Sequence, residues 1–254
     1  MRILLLVCPV GDDVESLLDV TKKVASALNG RVTALCVRRE IAQKYYSPFS
    51  IQLGKSGGAE GERAVLEKVR AVLGEEVVRM SRGGEPVSQV LDEIEKEGYD
   101  MLIYSDINQG LTKKLAEYSQ VPTLIHRGSE ELSRILICTD GSEHSLKAVR
   151  FAGRLAEGLG SRVALLSVAR EEGDTERARQ ALEKAGEVLG GVYSGEFEKK
   201  LATGRVRDVI LRESAAHELI ALAPRGLSKL KRVLMGHVSL HVLENAEKSV
   251  LLVR

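Results

Sequence analysis

The residues with the most evident chemistry lie in LAPRGLSKLKRVLMGHVSLHVL, residues 222–243. Gly226 and Gly236 stand ten positions apart there, with Arg225, Lys229, Lys231 and Arg232 around the gaps. Glycine lets a backbone turn close to a ligand, and the free N–H groups of a helix start attract anions. A helix opening at Gly236 would present those N–H groups, joined by the Ser239 hydroxyl, to a phosphate. The interval between the glycines would be the loop that closes over it. Such a basic run is more often a solvated face than a set of phosphate contacts. A second candidate is CTDGSEHS, residues 138–145, where Asp140 ends an apolar run and Ser142 is placed to cap the next helix. Asp140 could also simply brace that turn.

Other groupings carry less. His237 and His241 have the i, i+4 spacing of a helical metal pair but no evident third ligand, so no metal site is expected. Cys8, Cys36 and Cys138 sit in apolar runs without C-x-x-C spacing, which predicts reduced, packed thiols and a cytoplasmic home. Tyr45, Tyr46 and Phe49 cluster in a loop that fits either a partner or local packing. No triad and no paired general acid and base stands out, so binding is expected rather than enzymatic turnover. An enzyme that consumes nucleotide would want a phosphate loop straight after a first strand, and CTDGSEHS has one glycine and no lysine.

These residues need a scaffold, and 254 residues are enough for two domains. Lys+Arg 37 against Asp+Glu 36 leaves a net charge of +1, so no global field draws the chain to nucleic acid or to an anionic membrane. RILLLVC, the first apolar run, is too short for a signal segment or a membrane span.

The chain also repeats itself. RILLLVCPVG near the start returns as RILICTDGS from Arg134, and NGRVTALCV (29–37) returns as GSRVALLSV (160–168). The first half reads as strands at 2–8, 31–37, 75–81, 100–105 and 122–126, with helices at 14–29, 60–74, 86–98 and 111–119. The second half reads as strands at 134–139, 161–168, 195–202, 217–222 and 248–253, with helices at 142–158, 174–189, 204–215 and 236–246. Runs such as ILLLV, MLIY and LIALA lack alternation, which predicts an α/β fold with parallel sheets covered on both faces. The polar RGSEELS, 127–133, reads as the linker between a domain at 1–128 and one at 133–254. In such a sheet ligands lie beyond the carboxyl ends of the strands.

On these residues the sequence resembles the universal stress proteins, in the tandem form with two copies in one chain. The family's nucleotide-binding members show G-x2-G-x9-G-[S/T], then an apolar residue and another hydroxyl, after the fourth strand. Here Gly226, Gly236, Val238 and Ser239 agree, while Ala223 replaces the first glycine and the bulkier His237 replaces the hydroxyl residue. The resemblance implies two doubly wound, Rossmann-like five-stranded domains about a pseudo-two-fold, with their closing strands PTLIHR and SVLLVR side by side. It further implies an adenine nucleotide, ATP or AMP, with magnesium if a triphosphate is held. Thr139 and Asp140 would stand on its ribose and adenine side, and main-chain groups at Val168 would meet the adenine. The first half has Val10 where Asp140 stands and, after Gly110, no second glycine nine residues on, so it is expected to be a degenerate copy. The expected function is a cytoplasmic, stress-response regulatory protein that binds nucleotide in its second domain, as an internal pseudo-dimer open to homodimerisation and to a protein partner. The alternative is an interaction scaffold that binds no nucleotide, which Ala223 and His237 favour.

Overall fold

The computed structural model describes residues 1–7, 14–38, 59–74, 77–106, 109–128, 131–224 and 235–254. Their unbroken apolar runs form strands buried on both faces. β1 (Arg2–Val7) and β4 (Met101–Ser105) are fully buried apart from Arg2, as are β6 (Arg134–Cys138) and β9 (Leu219–Leu222) apart from Arg134. The remaining strands are β2 (Arg31–Arg38), β3 (Val78–Gly83), β5 (Thr123–His126), β7 (Arg162–Ala169), β8 (Phe197–Thr203) and β10 (Ser249–Leu252). Helices α1 (Val14–Ala27), α2 (Ala59–Leu73), α3 (Pro86–Glu97) and α4 (Gln109–Tyr118) alternate with strands in the first half. In the second half α5 (Glu143–Leu159), α6 (Thr175–Gly190), α7 (Val206–Ser214) and α8 (His237–Asn245) do the same.

All ten strands join one sheet in the order β3-β2-β1-β4-β5-β10-β9-β6-β7-β8. Within each half the pairing is parallel, and the halves meet antiparallel where Val250 faces Ile125 and Leu251 faces Leu124. Where two adjacent five-stranded sheets were expected, the closing strands hydrogen-bond, and a single sheet runs through the molecule. Strand order is the same read inward from either edge, as a local two-fold requires. One face carries α1, α2, α5 and α6, packed on Ile3, Leu5, Ile135 and Ile137. The other carries α3, α4, α7 and α8, packed on Leu4, Leu6, Leu136 and Leu222.

Boundaries differ from expectation by a few residues at most elements. β3 begins at Val78 rather than 75, and α4 begins two residues early, at Gln109. β8, FEKKLAT, alternates between part-buried and exposed residues because it is a sheet edge. The expected linker is also anchored. Leu132 is buried, with its carbonyl accepting from Ser161 Oγ, and Arg127 keeps only 12% of its side chain exposed. A segment chosen for its polarity thus fixes both halves through buried groups.

Both halves start their sheets alike. The Arg2 N–H donates to Asp100 Oδ2 at 2.7 Å, and the Arg134 N–H donates to Glu218 Oε2 at 2.7 Å. Glu218 also accepts from the Arg134 guanidinium and from Ser133 Oγ. Burial raises the Glu218 carboxyl, but these donors outweigh it and hold the pKa below the usual value. A group lowered in this way stabilises the fold above the unfolded-state pKa of about 4.3, and that stabilisation is lost as pH falls through the lowered value. Glu218→Gln is therefore expected to reduce the melting temperature at pH 7 and to reduce it less at pH 3. Calorimetry at both values checks this, and a difference independent of pH would contradict it.

Candidate functional site

A cleft of about 900 Å³ opens at the carboxyl ends of β6, β7 and β9. Its floor is Cys138, Leu166 and Leu222, and eight of the nine expected site residues line it: Thr139, Asp140, Val168, Ala223, Gly236, His237, Val238 and Ser239. The ninth, Gly226, lies outside the described residues, as do Arg225, Lys229, Lys231 and Arg232. Cys8, Val10, Tyr45, Tyr46 and Phe49 also fall outside them.

Asp140 is presented by a tight turn between β6 and α5. Its Oδ1 accepts from the Ser142 N–H at 3.0 Å and from Ser142 Oγ at 2.5 Å, while Ser142 Oγ in turn accepts from the Ser145 N–H and caps α5. Asp140 therefore braces the turn and lines the cleft. Between them Gly141 has φ +75, and a Cβ there would lie 3.0 Å from Ala181 Cβ on α6. A side chain at 141 would thus be strained in backbone and crowded by the neighbouring helix. The Thr139 hydroxyl is held inside the same turn, 3.1 Å from Ser145 Oγ.

The backbone of β7 forms a second wall. Its pairing with β6 ends at Leu166, opposite Cys138, whereas its pairing with β8 continues to Ala169, opposite Thr203. Beyond Leu166 the edge of β7 that faces away from β8 is covered by no strand among the described residues, and Ser167 and Val168 line the cleft there. Main-chain donors and acceptors are available there to a planar, edge-bonding group.

The third wall is the start of α8. The Gly236 N–H donates to the Pro224 carbonyl at 2.7 Å, tying the start of α8 to the residues that follow β9. Gly236 is the N-cap of α8, and among the described residues no side chain caps that end. The first N–H groups of an α-helix have no intrahelical acceptor, so this end carries partial positive charge toward the cleft. Ser239 corrects the sequence reading. Its buried hydroxyl donates to the Ala223 carbonyl at 2.8 Å, because a buried O–H needs an acceptor and the fold supplies one. As placed, it ties α8 to β9 rather than offering its proton to a ligand. His237 is exposed at the cleft's edge.

Several cleft residues escaped the sequence reading. Arg170 and Arg177, with Asp174, line it from the turn after β7 and from α6, and Lys113 and Glu117 reach it from α4 of the first half. Only their place in space separates them from ordinary charges on exposed helices. Cys138 is free and buried on the floor, and burial pushes its thiol up to about 12. It is a packing group at neutral pH rather than a nucleophile. Among the described residues no group of three His, Cys, Asp or Glu could hold a metal ion. No helix among them is long and apolar enough to cross a membrane.

The profile of the universal stress protein family matches residues 131–254. A universal stress protein from Archaeoglobus fulgidus superposes with a TM-score of 0.70 at 16% identity, over 100% of this chain and 96% of its own. A protein of unknown function from Pseudomonas aeruginosa gives 0.67 at 15% identity, over 98% of this chain and 92% of its own. A universal stress protein solved in complex with cAMP matches 48% of this chain and 97% of its own, at 22% identity and a TM-score of 0.43. No curated protein matches the sequence. Residues 131–254 thus form a domain of the universal stress protein family, and the full length follows the fold of the Archaeoglobus fulgidus protein.

Proposed function

We propose that the chain binds one adenine nucleotide, ATP or AMP, in the cleft of its second half and acts as a cytoplasmic regulatory protein of the stress response. The observation that carries this reading is the opposition of two unlike ends in one cleft. Asp140 and the β7 backbone at Val168 offer a carboxylate and main-chain groups suited to ribose and a base, and the start of α8, capped by no described side chain, lines the same cleft with N–H groups suited to phosphate. About 900 Å³ is ample room for a nucleotide. Magnesium enters this reading as the phosphates' own counter-ion, because a cation bridging phosphate oxygens offsets charge that one helix start cannot. The chemistry is retention rather than turnover, since the Thr139, Ser142 and Ser145 hydroxyls are engaged in bonds that build the turn and cap α5. Homodimers of the whole chain and a protein partner belong to the same proposal, the bound nucleotide being the signal such contacts would read.

A scaffold without nucleotide is the second reading. The engagement of Ser239 with Ala223 favours it, since that hydroxyl is withheld from a ligand. Titration calorimetry with AMP and with ATP, with and without magnesium, decides between the two. One site per chain is expected. Two equal sites would contradict the degenerate first half, and no binding of either nucleotide would leave the scaffold.

A further inference from the structure

Arg127 is the first residue after β5, and its side chain is almost wholly enclosed at the joint between the halves. Its Nε and Nη2 lie 2.8 and 2.6 Å from Asp106 Oδ2, while Asp106 Oδ1 accepts from Thr112 Oγ1 at 2.6 Å. The same guanidinium crosses the joint. Nη2 donates to the Leu243 carbonyl and Nη1 to the Ala246 carbonyl, each at 2.6 Å, and the Arg127 N–H donates to Ser249 Oγ. Leu243 and Ala246 belong to the end of α8, the helix whose other end is the wall of the cleft. Arg254, two residues beyond β10, is placed likewise, donating to the Ala116 and Glu117 carbonyls at the end of α4. Each half thus supplies an arginine that holds the final carbonyls of the other half's helix.

The geometry points to Arg127 as a positioning residue for the phosphate end of the cleft, a part taken by the first half in binding at the second. This rests on the nucleotide reading. A nine-residue helix is about 13 Å long and stiff, so fixing its last carbonyls fixes where its first N–H groups point. A cation at the carboxyl end also complements the helix dipole whose positive end meets the ligand. Thr112 and Asp106 hold the guanidinium in a plane that lysine cannot reproduce, since its ammonium is a point charge with no fork. Lys113 of α4, 3.1 Å from Glu244 of α8, adds a second tie between the same two helices.

A merely structural arginine would weaken every ligand alike, whereas a positioning residue acting through α8 weakens only ligands that carry phosphate. The experiment is calorimetric titration of the full chain and of Arg127→Lys with AMP and with adenosine, well below the melting temperature. Glu218→Gln, which weakens bonds to Ser133 and Arg134 rather than any bond of Arg127, serves as a variant destabilised by another route. The expected result for Arg127→Lys is an AMP affinity about tenfold lower with adenosine changed less than twofold, and for Glu218→Gln no change in either. Should Arg127→Lys fail to fold, Thr112→Val, which removes only the bond orienting Asp106, is expected to lower AMP affinity two- to threefold and to spare adenosine. Equal losses for both ligands, or no loss, would overturn the positioning role while leaving the nucleotide reading intact. A parent chain that binds neither ligand would overturn both.

Discussion

Replacing Asp140 by alanine is expected to lower nucleotide affinity by ten- to a hundredfold. A hydrogen bond to a charged group contributes about 1.5–3 kcal/mol, and each 1.4 kcal/mol is a factor of ten in affinity. Alanine removes more than the contact with the ligand, because Asp140 Oδ1 also accepts from the Ser142 backbone and hydroxyl and so aligns the cap of α5. A loss of stability of about 1 kcal/mol should accompany the loss of binding, as when a helix cap is removed. Asp140→Asn separates the two effects. Its amide oxygen accepts from Ser142 as the carboxylate does, so stability should be kept while the charge is lost and affinity falls. Calorimetric titration beside thermal melts of both variants checks the outcome. An asparagine variant that binds as the parent does would show that Asp140 is a turn residue alone.

The largest expected loss of stability from a single methyl group is at Gly158, on the face of α5 turned toward α1. A Cβ there would stand 2.3 Å from the Ala27 carbonyl oxygen and 2.7 Å from Ala27 Cα. Both are backbone atoms, so relief requires α1 and α5 to move apart across the joint between the halves. Overpacking of this kind costs typically 1–3 kcal/mol, and the rigid neighbour places Gly158→Ala at about 3. At about 2–4 °C per kcal/mol for a chain of this size, the melting temperature should fall by roughly 6–12 °C. The sign is the informative part, because glycine to alanine inside an open helix is normally stabilising by up to about 1 kcal/mol. Gly190 at the end of α6 meets nothing within 4 Å, and Gly190→Ala should be neutral or mildly stabilising. A rise in melting temperature for Gly158→Ala would mean that the two helices are not in this contact.

The fold was legible where local pattern and tertiary demand coincide. RILLLVC and RILIC are apolar without alternation because both faces of β1 and β6 are covered, and the repeat of these runs revealed two halves before any contact was known. Asp140 and Ser142 were legible because capping chemistry acts over three residues. Arg127 was not. Its neighbours in sequence are polar, and what buries it is a set of carbonyls more than a hundred residues away. Ser239 was placed correctly in the cleft but given the wrong bond, since a spacing pattern shows where a hydroxyl lies and not which acceptor reaches it first. Lys113 and Glu117 carry no mark of the cleft in α4, which borders a site in the other half only because β5 and β10 run in opposite directions.

That antiparallel joint also bears on how the chain reaches its structure. β10 is last in chain order yet sits in the middle of the sheet, between β5 and β9. The first half forms through nearby pairings, β1 with β2 and β2 with β3, and can collapse early, but its β5 edge then waits for residues 249–252. Closing a loop of some 120 residues costs entropy that no local contact offsets, so the late arrival of β10 is the natural slow step. During synthesis from the ribosome the nascent chain must carry an open strand edge, flanked by apolar faces, until that step is complete. Such an edge is the kind that pairs with other chains. The interval before β10 docks is therefore when this protein is most exposed to misassembly, and chaperone capture at that stage would protect β5.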